Sequence, residues 1–260
     1  MESKVAIIGG TGVYDLDFLA EKKTITVSTP YGAVSLQTGF YQGIGTAFLA
    51  RHGQNHSVPP HQINYRANIW ALKELGVQQI LATAAVGSLR RDLPPGHLVL
   101  VDQFIDFTKQ RPLTFFEGKN SPVVHTDLTE PYCPQLRRIL LEAAPAGCQV
   151  QDGGVYVCTE GPRFETPAEI SFYAQVGGDV VGMTGVPEVV LAREMGLCYA
   201  AIALVTNYGA GLSSQPLTHE EVVECQRANA ENLRALLENA LPRLKGKAGC
   251  QQCRKPDPML

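Results

Sequence analysis

Arg51 and His52 stand side by side in Leu49-Ala-Arg-His-Gly-Gln-Asn-His56, at the end of a strand-like run. A guanidinium presents a planar fork of N–H donors that suits a phosphate, and an imidazole can donate beside it. His52 and His56 have the spacing of a metal pair, but no third ligand is near and Gly53 disfavours a helix. Ile7-Ile-Gly-Gly-Thr-Gly12 brings small residues and the Thr11 hydroxyl to the end of the first strand candidate, where free backbone N–H groups can cradle an anion. The string is neither a full GxGxxG nor a GxxxxGK[ST], and a tight strand-to-helix turn accounts for it equally well. Ala82-Thr-Ala-Ala-Val-Gly-Ser88 closes a further strand in small residues and exposes N–H groups where open α/β sheets hold ligands, or else packs as a close corner.

A second set of residues suits a planar, hydrogen-bonding ring. Glu160-Gly-Pro-Arg-Phe-Glu-Thr-Pro-Ala-Glu169 holds Phe164, which can stack on a ring, and Glu165, which can accept from a ring N–H or cap the helix expected from Thr166. Gly182-Met-Thr-Gly-Val-Pro-Glu188 adds Met183 as an apolar floor and Thr184 as a hydroxyl donor. Thr206-Asn-Tyr-Gly-Ala-Gly211 supplies Asn207, with both a donor and an acceptor. Each string alone reads as structure as readily as function. Their recurrence at strand ends favours one shared site.

The elements that would carry them are legible in the hydrophobic pattern. Strands are expected at Val5–Ile8, Ile25–Val27, Val34–Gln37, Thr46–Leu49, Gln79–Ala82, His97–Val101, Gly154–Val157, Val180–Met183 and Ala200–Val205. Helices are expected at Asn64–Leu75, Thr166–Val176, Pro187–Met195 and Thr218–Leu241, the last opening on a Thr218/Glu221 capping box. Strands interleaved with helices give an α/β fold with a mixed, largely buried sheet. We expect one domain over residues 1–245 and a polar tail over 246–260, either mobile or packed on a neighbour.

Composition narrows the classes. The 260 residues are 45% hydrophobic and 18% charged, with 22 Lys plus Arg against 25 Asp plus Glu. That balance excludes the basic face a duplex nucleic acid requires, and no apolar run approaches a membrane span. The chain starts Met1-Glu-Ser-Lys and runs straight into a strand, and its seven cysteines are an odd number, so a cytoplasmic setting with mostly reduced, buried thiols is expected. Cys250-Gln-Gln-Cys253 is the one pair at metal or redox spacing. It lacks the second pair a structural zinc site needs, so the tail is expected to be bland or weakly redox-active, and no metal is expected.

Together, IIGGTG, LARHGQNH, INYRANIWALKELG, GSLR, PGHLVLVDQFID, EGPRF and GMTGVPEVVLARE resemble the nucleoside phosphorylases that include methylthioadenosine phosphorylase and the trimeric purine nucleoside phosphorylases. The resemblance runs from about Lys4 to Leu241. It implies a central mixed β-sheet, partly barrel-like, flanked by helices, and a phosphate site made by Thr11, Arg51, His52, the Ala84–Ala85 backbone and Thr184. The resemblance also implies Met183 under the ribose and Phe164 against the base. The methylthioadenosine enzymes usually carry a threonine at the position of Ala84, so one hydroxyl contact is missing here.

The departures bear on specificity. Adenine-specific relatives read Thr-Asp-Tyr-Asp where this chain reads Thr206-Asn-Tyr-Gly209. An acid cannot accept from a 6-oxo group, whereas the Asn207 amide can donate to O6 and contact N7. Tyr208 and Gly209 accompany it, and Phe164-Glu165-Thr166 resembles the 6-oxopurine-specific enzymes, where the glutamate accepts from N1–H. Such a pocket discriminates against adenine by about 10⁴-fold. His219-Glu-Glu-Val222 resembles the trimeric enzymes whose histidine meets the ribose 5′-hydroxyl, although an exposed histidine at a helix start is the plain structural alternative. His125 matches a segment that relatives extend into a neighbour's active site. The resemblance therefore implies phosphorolysis of inosine or guanosine to free base and ribose 1-phosphate by a homotrimer or dimer of trimers. Phosphate is a co-substrate and no cofactor is needed; Asn207, His52 and Arg51 carry the chemistry. The rivals are the same reaction on 5′-methylthioinosine, a non-catalytic nucleoside or phosphate binder, and a hydrolytic nucleosidase.

Overall fold

In the computed structural model, residues 4–10, 16–53, 56–118, 122–213, 219–247, 249–251 and 253 are described, with the side chains of residues 219 and 221 left aside. They contain eleven strands: β1 (Val5–Gly9), β2 (Ala20–Thr29), β3 (Gly32–Tyr41), β4 (Ile44–Ala50), β5 (Gln79–Ser88), β6 (Leu98–Leu100), β7 (Gln103–Phe107), β8 (Val150–Asp152), β9 (Val155–Thr159), β10 (Val180–Gly182) and β11 (Cys198–Tyr208). Five α-helices accompany them: α1 (Tyr65–Glu74), α2 (Pro134–Ala143), α3 (Pro167–Gln175), α4 (Gly185–Glu194) and α5 (His219–Ala240).

The strands form one mixed sheet in the order β2-β3-β4-β1-β5-β10-β9-β7, from which β11, β6 and β8 branch off β5. Alternation along the central strands divides the core. Ala6 and Ile8 of β1, Ile80 and Ala82 of β5, and Tyr199, Ala201 and Ala203 of β11 meet the helices α1 and α4. Val5 and Ile7, Leu81, and Cys198, Ala200 and Ile202 meet α2 and α5 on the opposite face. A small third cluster joins Ile170 and Tyr173 of α3 to Leu89, Val157 and Val181. The expected α/β architecture, a central mixed sheet flanked by helices, is the one observed.

All nine strand candidates fall on strands. The candidates omit β7, β8 and α2, although Leu136, Ile139, Leu140 and Ala143 of α2 are buried at helical spacing. In α4 the residue Val186 is extended (φ −120°, ψ 132°), so regular helix starts at Pro187, where the sequence pattern starts it. The tail differs from expectation. Cys253 is buried in the α2/α5-side core, Cys250 packs against it, and the Lys247 carbonyl accepts from Gln79. The described part of the tail is thus fastened to its own chain.

Candidate active site

The site lies where the edge of β5 has no partner strand. β1 runs parallel to β5 only as far as Ala82, and β10 joins the ladder at Gly87. Between them the edge opens on a cavity of about 360 Å³. Ala84 and Ala85 line it from β5, and Gly10 lines it from the end of β1. The Gly10 N–H is fixed on the Thr83 hydroxyl at 2.9 Å. A Cβ on Gly10 would stand 2.5 Å from the Thr83 carbonyl oxygen, so only glycine lets the two strands approach this closely.

Arg51 follows β4 and reaches this cavity buried, but its fork is already taken. Nε and Nη2 donate to the two carboxylate oxygens of Glu188 at 2.6 Å each, and Nη1 donates to the Thr83 carbonyl at 2.7 Å. Of the five guanidinium donors, two remain for a ligand among the described residues. Glu188 is fully buried and also accepts from the Tyr199 hydroxyl at 2.7 Å. The carboxylate at close range keeps Arg51 ionised despite its complete burial.

His52 differs from its expected role as a donor. Its Nδ1 lies 2.9 Å from the Val58 carbonyl, which can only accept, so Nδ1 carries the proton and Nε2 is left as an acceptor. Burial, and then the neighbouring Arg51 charge, lower its pKa to about 4, so the ring is neutral at physiological pH. The His56 ring stacks on it at 4.4 Å, so the two histidines form a stack in the cavity wall. Thr184 precedes α4, is buried and lines the cavity, and its side chain makes no capping bond to that helix.

The other end of the cavity gathers the ring-binding candidates. Glu165 does not cap α3. That task falls to Thr166 and Glu169, which form a reciprocal capping box, while Arg163 grips Glu169. Glu165 instead faces the cavity and accepts from the Thr159 hydroxyl at 2.6 Å, and burial raises its pKa. Phe164 lines the mouth at 40% exposure. Met183 forms part of the wall beside Gly161, whose left-handed backbone (φ +66°) leaves no room for a Cβ next to the Met183 sulfur.

Asn207 arrives through a β-bulge. The β5–β11 register shifts between Val205 and Asn207, which re-aims the side chain at the strand end. The amide Nδ2 donates to the Tyr208 carbonyl at 2.9 Å, and Oδ1 accepts from the Thr206 hydroxyl at 2.8 Å. These two bonds fix which end of the amide is the donor and leave Nδ2 a second N–H. Gly209 lines the same wall, where a Cβ would meet Ile170 at 2.9 Å.

Two expected site residues lie elsewhere. The Tyr208 hydroxyl turns away to the Arg91 carbonyl at 3.2 Å, so Tyr208 is not a cavity residue; strand alternation sends it to the face opposite Asn207. His125 is exposed in the irregular segment before α2 and does not line the cavity of its own chain. Thr11 lies outside the described residues, and so does the side chain of His219, the first residue of α5. Other cavity residues carry no expectation from the sequence: His56, Pro59 and Pro60 from the turn after β4, and Val222 from α5. Their types are ordinary for loops and helices, and only the fold brings them here. Arg111 is likewise unexpected. Buried, it donates to the carbonyls of Val186, Thr159 and Glu160, pinning together the segments that lead to Thr184 and Phe164.

The cysteines hold a further correction. The second pair that Cys250 and Cys253 lack in sequence is supplied in space by Cys133 and Cys198, and none of the four lines the cavity.

The chain is similar to known proteins over nearly its whole length. The sequence pattern of the phosphorylase superfamily matches residues 4–242. The chain is 58% identical to the probable 6-oxopurine nucleoside phosphorylase of Dictyoglomus turgidum, covering 95% of this chain and 94% of that one. It is 53% identical to the 6-oxopurine nucleoside phosphorylase of Pyrococcus furiosus, covering 97% and 98%. Its structure superposes on methylthioadenosine phosphorylase from Schistosoma mansoni in complex with adenine with a TM-score of 0.89, at 38% identity and covering 94% and 92%. With the match running from β1 to the end of α5, and so through every strand and helix that lines the cavity, the chain belongs to the phosphorylase superfamily.

Proposed function

We propose that the chain is a purine nucleoside phosphorylase that cleaves 6-oxopurine ribonucleosides with phosphate, releasing the free base and ribose 1-phosphate. The observation that carries this reading is that Glu165 and Asn207 line one cavity together with Arg51, His52 and Thr184. A half-buried carboxylate acceptor beside an amide donor suits a ring with N1–H and a 6-oxo group. An adenine ring would set its 6-amino group against the Asn207 donor and leave Glu165 without a proton to accept.

In this reading phosphate binds between the open edge of β5 and the two remaining Arg51 donors. Thr184 donates a hydroxyl, and His52, with Nε2 as acceptor, accepts the hydrogen bond of a hydrogenphosphate. A phosphate oxygen then forms a bond to C1′ as the C1′–N9 bond breaks. The electron pair passes into the purine, the Asn207 N–H stabilises the charge at O6 and N7, and the purine anion takes up a proton from solvent as the new phosphate ester gives one up. The protein's part is positioning and electrostatic stabilisation. The 6-oxopurine relatives at 53–58% identity support the substrate class. The oligomer is a trimer or a dimer of trimers in the cytoplasm, His125 serves a neighbouring subunit, and His219 meets the ribose. No described helix is long and apolar enough to cross a membrane.

One observation favours a second reading, in which the substrate is 5′-methylthioinosine. Val222, one turn into α5, is buried and gives the cavity an apolar contact. A panel of inosine, guanosine, adenosine and 5′-methylthioinosine, each with and without phosphate, tests both. We expect phosphate-dependent release of hypoxanthine and guanine. A large preference for methylthioinosine selects the second reading, and release of base without phosphate, or no release at all, overturns the first.

A further inference from the structure

Four cysteines from three distant parts of the chain converge on the core face opposite α1 and α4. Cys133 stands immediately before α2, Cys198 starts β11, and Cys250 and Cys253 come from the tail. Their sulfurs all lie within 4.8 Å of one another. Cys250 Sγ is 3.5 Å from Cys133 Sγ, 3.8 Å from Cys198 Sγ and 3.2 Å from Cys253 Sγ. A disulfide joins two sulfurs at about 2 Å and leaves the others out. Here one sulfur meets three others at a nearly common separation. Four thiolates at about 2.3 Å from a shared tetrahedral centre stand about 3.8 Å apart, close to the observed contacts.

The surroundings are those of a structural metal site rather than a reactive thiol. Cys133, Cys198 and Cys253 are at most 1% exposed, among the aliphatic side chains of α2, β11 and α5. The Cys250 N–H donates to the Cys198 sulfur at 3.1 Å, and the Cys253 N–H donates to the Cys250 carbonyl at 3.2 Å. The second bond closes the CxxC turn so that both its sulfurs face inward, and the first spends a backbone donor on a sulfur, which suits a thiolate. None of the four cysteines lines the catalytic cavity.

We propose that Cys133, Cys198, Cys250 and Cys253 form a tetrathiolate site for one zinc ion that clamps the tail to the sheet. Soft thiolate donors in a closed tetrahedron select zinc over the oxygen-seeking cations. No electrons change hands; the thiols release protons as the metal enters. The ion ties Cys250 and Cys253 to β11 and α2, and its task is to hold the fold together, independent of whichever nucleoside the cavity accepts.

The full-length protein, purified under reducing conditions from zinc-supplemented cells, is assayed for metal by elemental analysis. One zinc per chain is expected, released as a mercurial titrates four thiols. Metal-free protein refolded with Co²⁺ is expected to show intense sulfur-to-cobalt charge-transfer bands and the d–d bands of tetrahedral cobalt. Cys253→Ser should lower the zinc content several-fold, whereas Cys148→Ser, outside the cluster, should retain it. Iron in place of zinc, or reduced protein that takes up neither zinc nor cobalt, overturns the proposal. A mass lower by two disulfides' worth of hydrogen with four thiols missing also overturns it. Because the readout is metal content and the cobalt spectrum, a wrong substrate assignment leaves the test untouched.

Discussion

Glu188 grips Arg51 through two parallel hydrogen bonds of 2.6 Å, 137 residues apart in sequence and buried on both sides. The pair shows how the fold turns a freely rotating guanidinium into a fixed set of donors. The carboxylate takes the Nε side of the fork, Thr83 takes one Nη1 proton, and the orientation of the other two donors follows. Tyr199 holds Glu188 in turn. Glu188→Ala leaves Arg51 as an uncompensated buried charge, a loss of about 3–5 kcal/mol. Urea denaturation should report a loss in that range, and a change below about 1 kcal/mol would show that the pair does not hold the fold.

His52 makes stability depend on pH. Its pKa is lowered to about 4 in the folded chain against 6.5 for the free side chain, so the unfolded chain binds the proton first as pH falls. Stability is therefore complete above about pH 6.5, falls between 6.5 and 4, and levels off below. The loss assignable to this ring is about 3 kcal/mol. His52→Gln, which carries no titrating proton, should flatten the wild-type slope over that window in denaturation measured at successive pH values. An unchanged slope contradicts the neutral ring.

Asn207 is held by Thr206 and by the Tyr208 carbonyl so that a donor faces the cavity. Removing a donor aimed at developing charge costs about 10²–10³ in rate. Asn207→Ala should lower kcat/KM for inosine by that factor with circular dichroism unchanged. Near-normal inosine turnover would remove Asn207 from the mechanism.

Glu165 should show activity and stability moving in opposite directions. Burial raises its pKa, so its charged form at neutral pH works against folding, and the stability it contributes is present at acid pH and lost as pH rises through the folded-state value. Glu165→Gln should keep or raise Tm at pH 7, retain the Thr159 contact, and lower kcat/KM for inosine at least about tenfold as the N1–H acceptor weakens. A fall in Tm with full activity would reverse the assignment.

Gly161 sets the position of Met183. At φ +66° with the Met183 sulfur 2.6 Å from where a Cβ would stand, Gly161→Ala must move the thioether. The backbone strain is about 1–2 kcal/mol. We expect a several-fold rise in the KM for inosine with the KM for phosphate little changed, and parallel changes in both would place Met183 outside the ribose subsite.

Much of this was legible in the chain itself. Strand periodicity and the clustering of Arg51, Ala84, Ala85, Thr184 and Asn207 at strand ends are local properties. In an α/β sheet, strand ends converge without any knowledge of the partner strands. The capping box at Thr166 and Glu169 is equally local, and it is what frees Glu165. Tertiary structure decided how each donor is used. Arg51 faces Glu188 because α4, packed on α1, β9 and β11, brings Glu188 within reach of the residue after β4. His52 is an acceptor because the turn after β4 brings the Val58 carbonyl to Nδ1, and a bulge in β11 re-aims Asn207 while alternation sends Tyr208 to the opposite face. The cysteines mark the same division most sharply. In sequence Cys250 and Cys253 are a lone pair in a polar tail, and only the packing of the tail against α2 and β11 gives them Cys133 and Cys198. Periodicity and turn chemistry depend on neighbours a few residues away, whereas a buried ion pair, a tautomer or a ligand set depends on groups that only the closed chain brings within 4 Å.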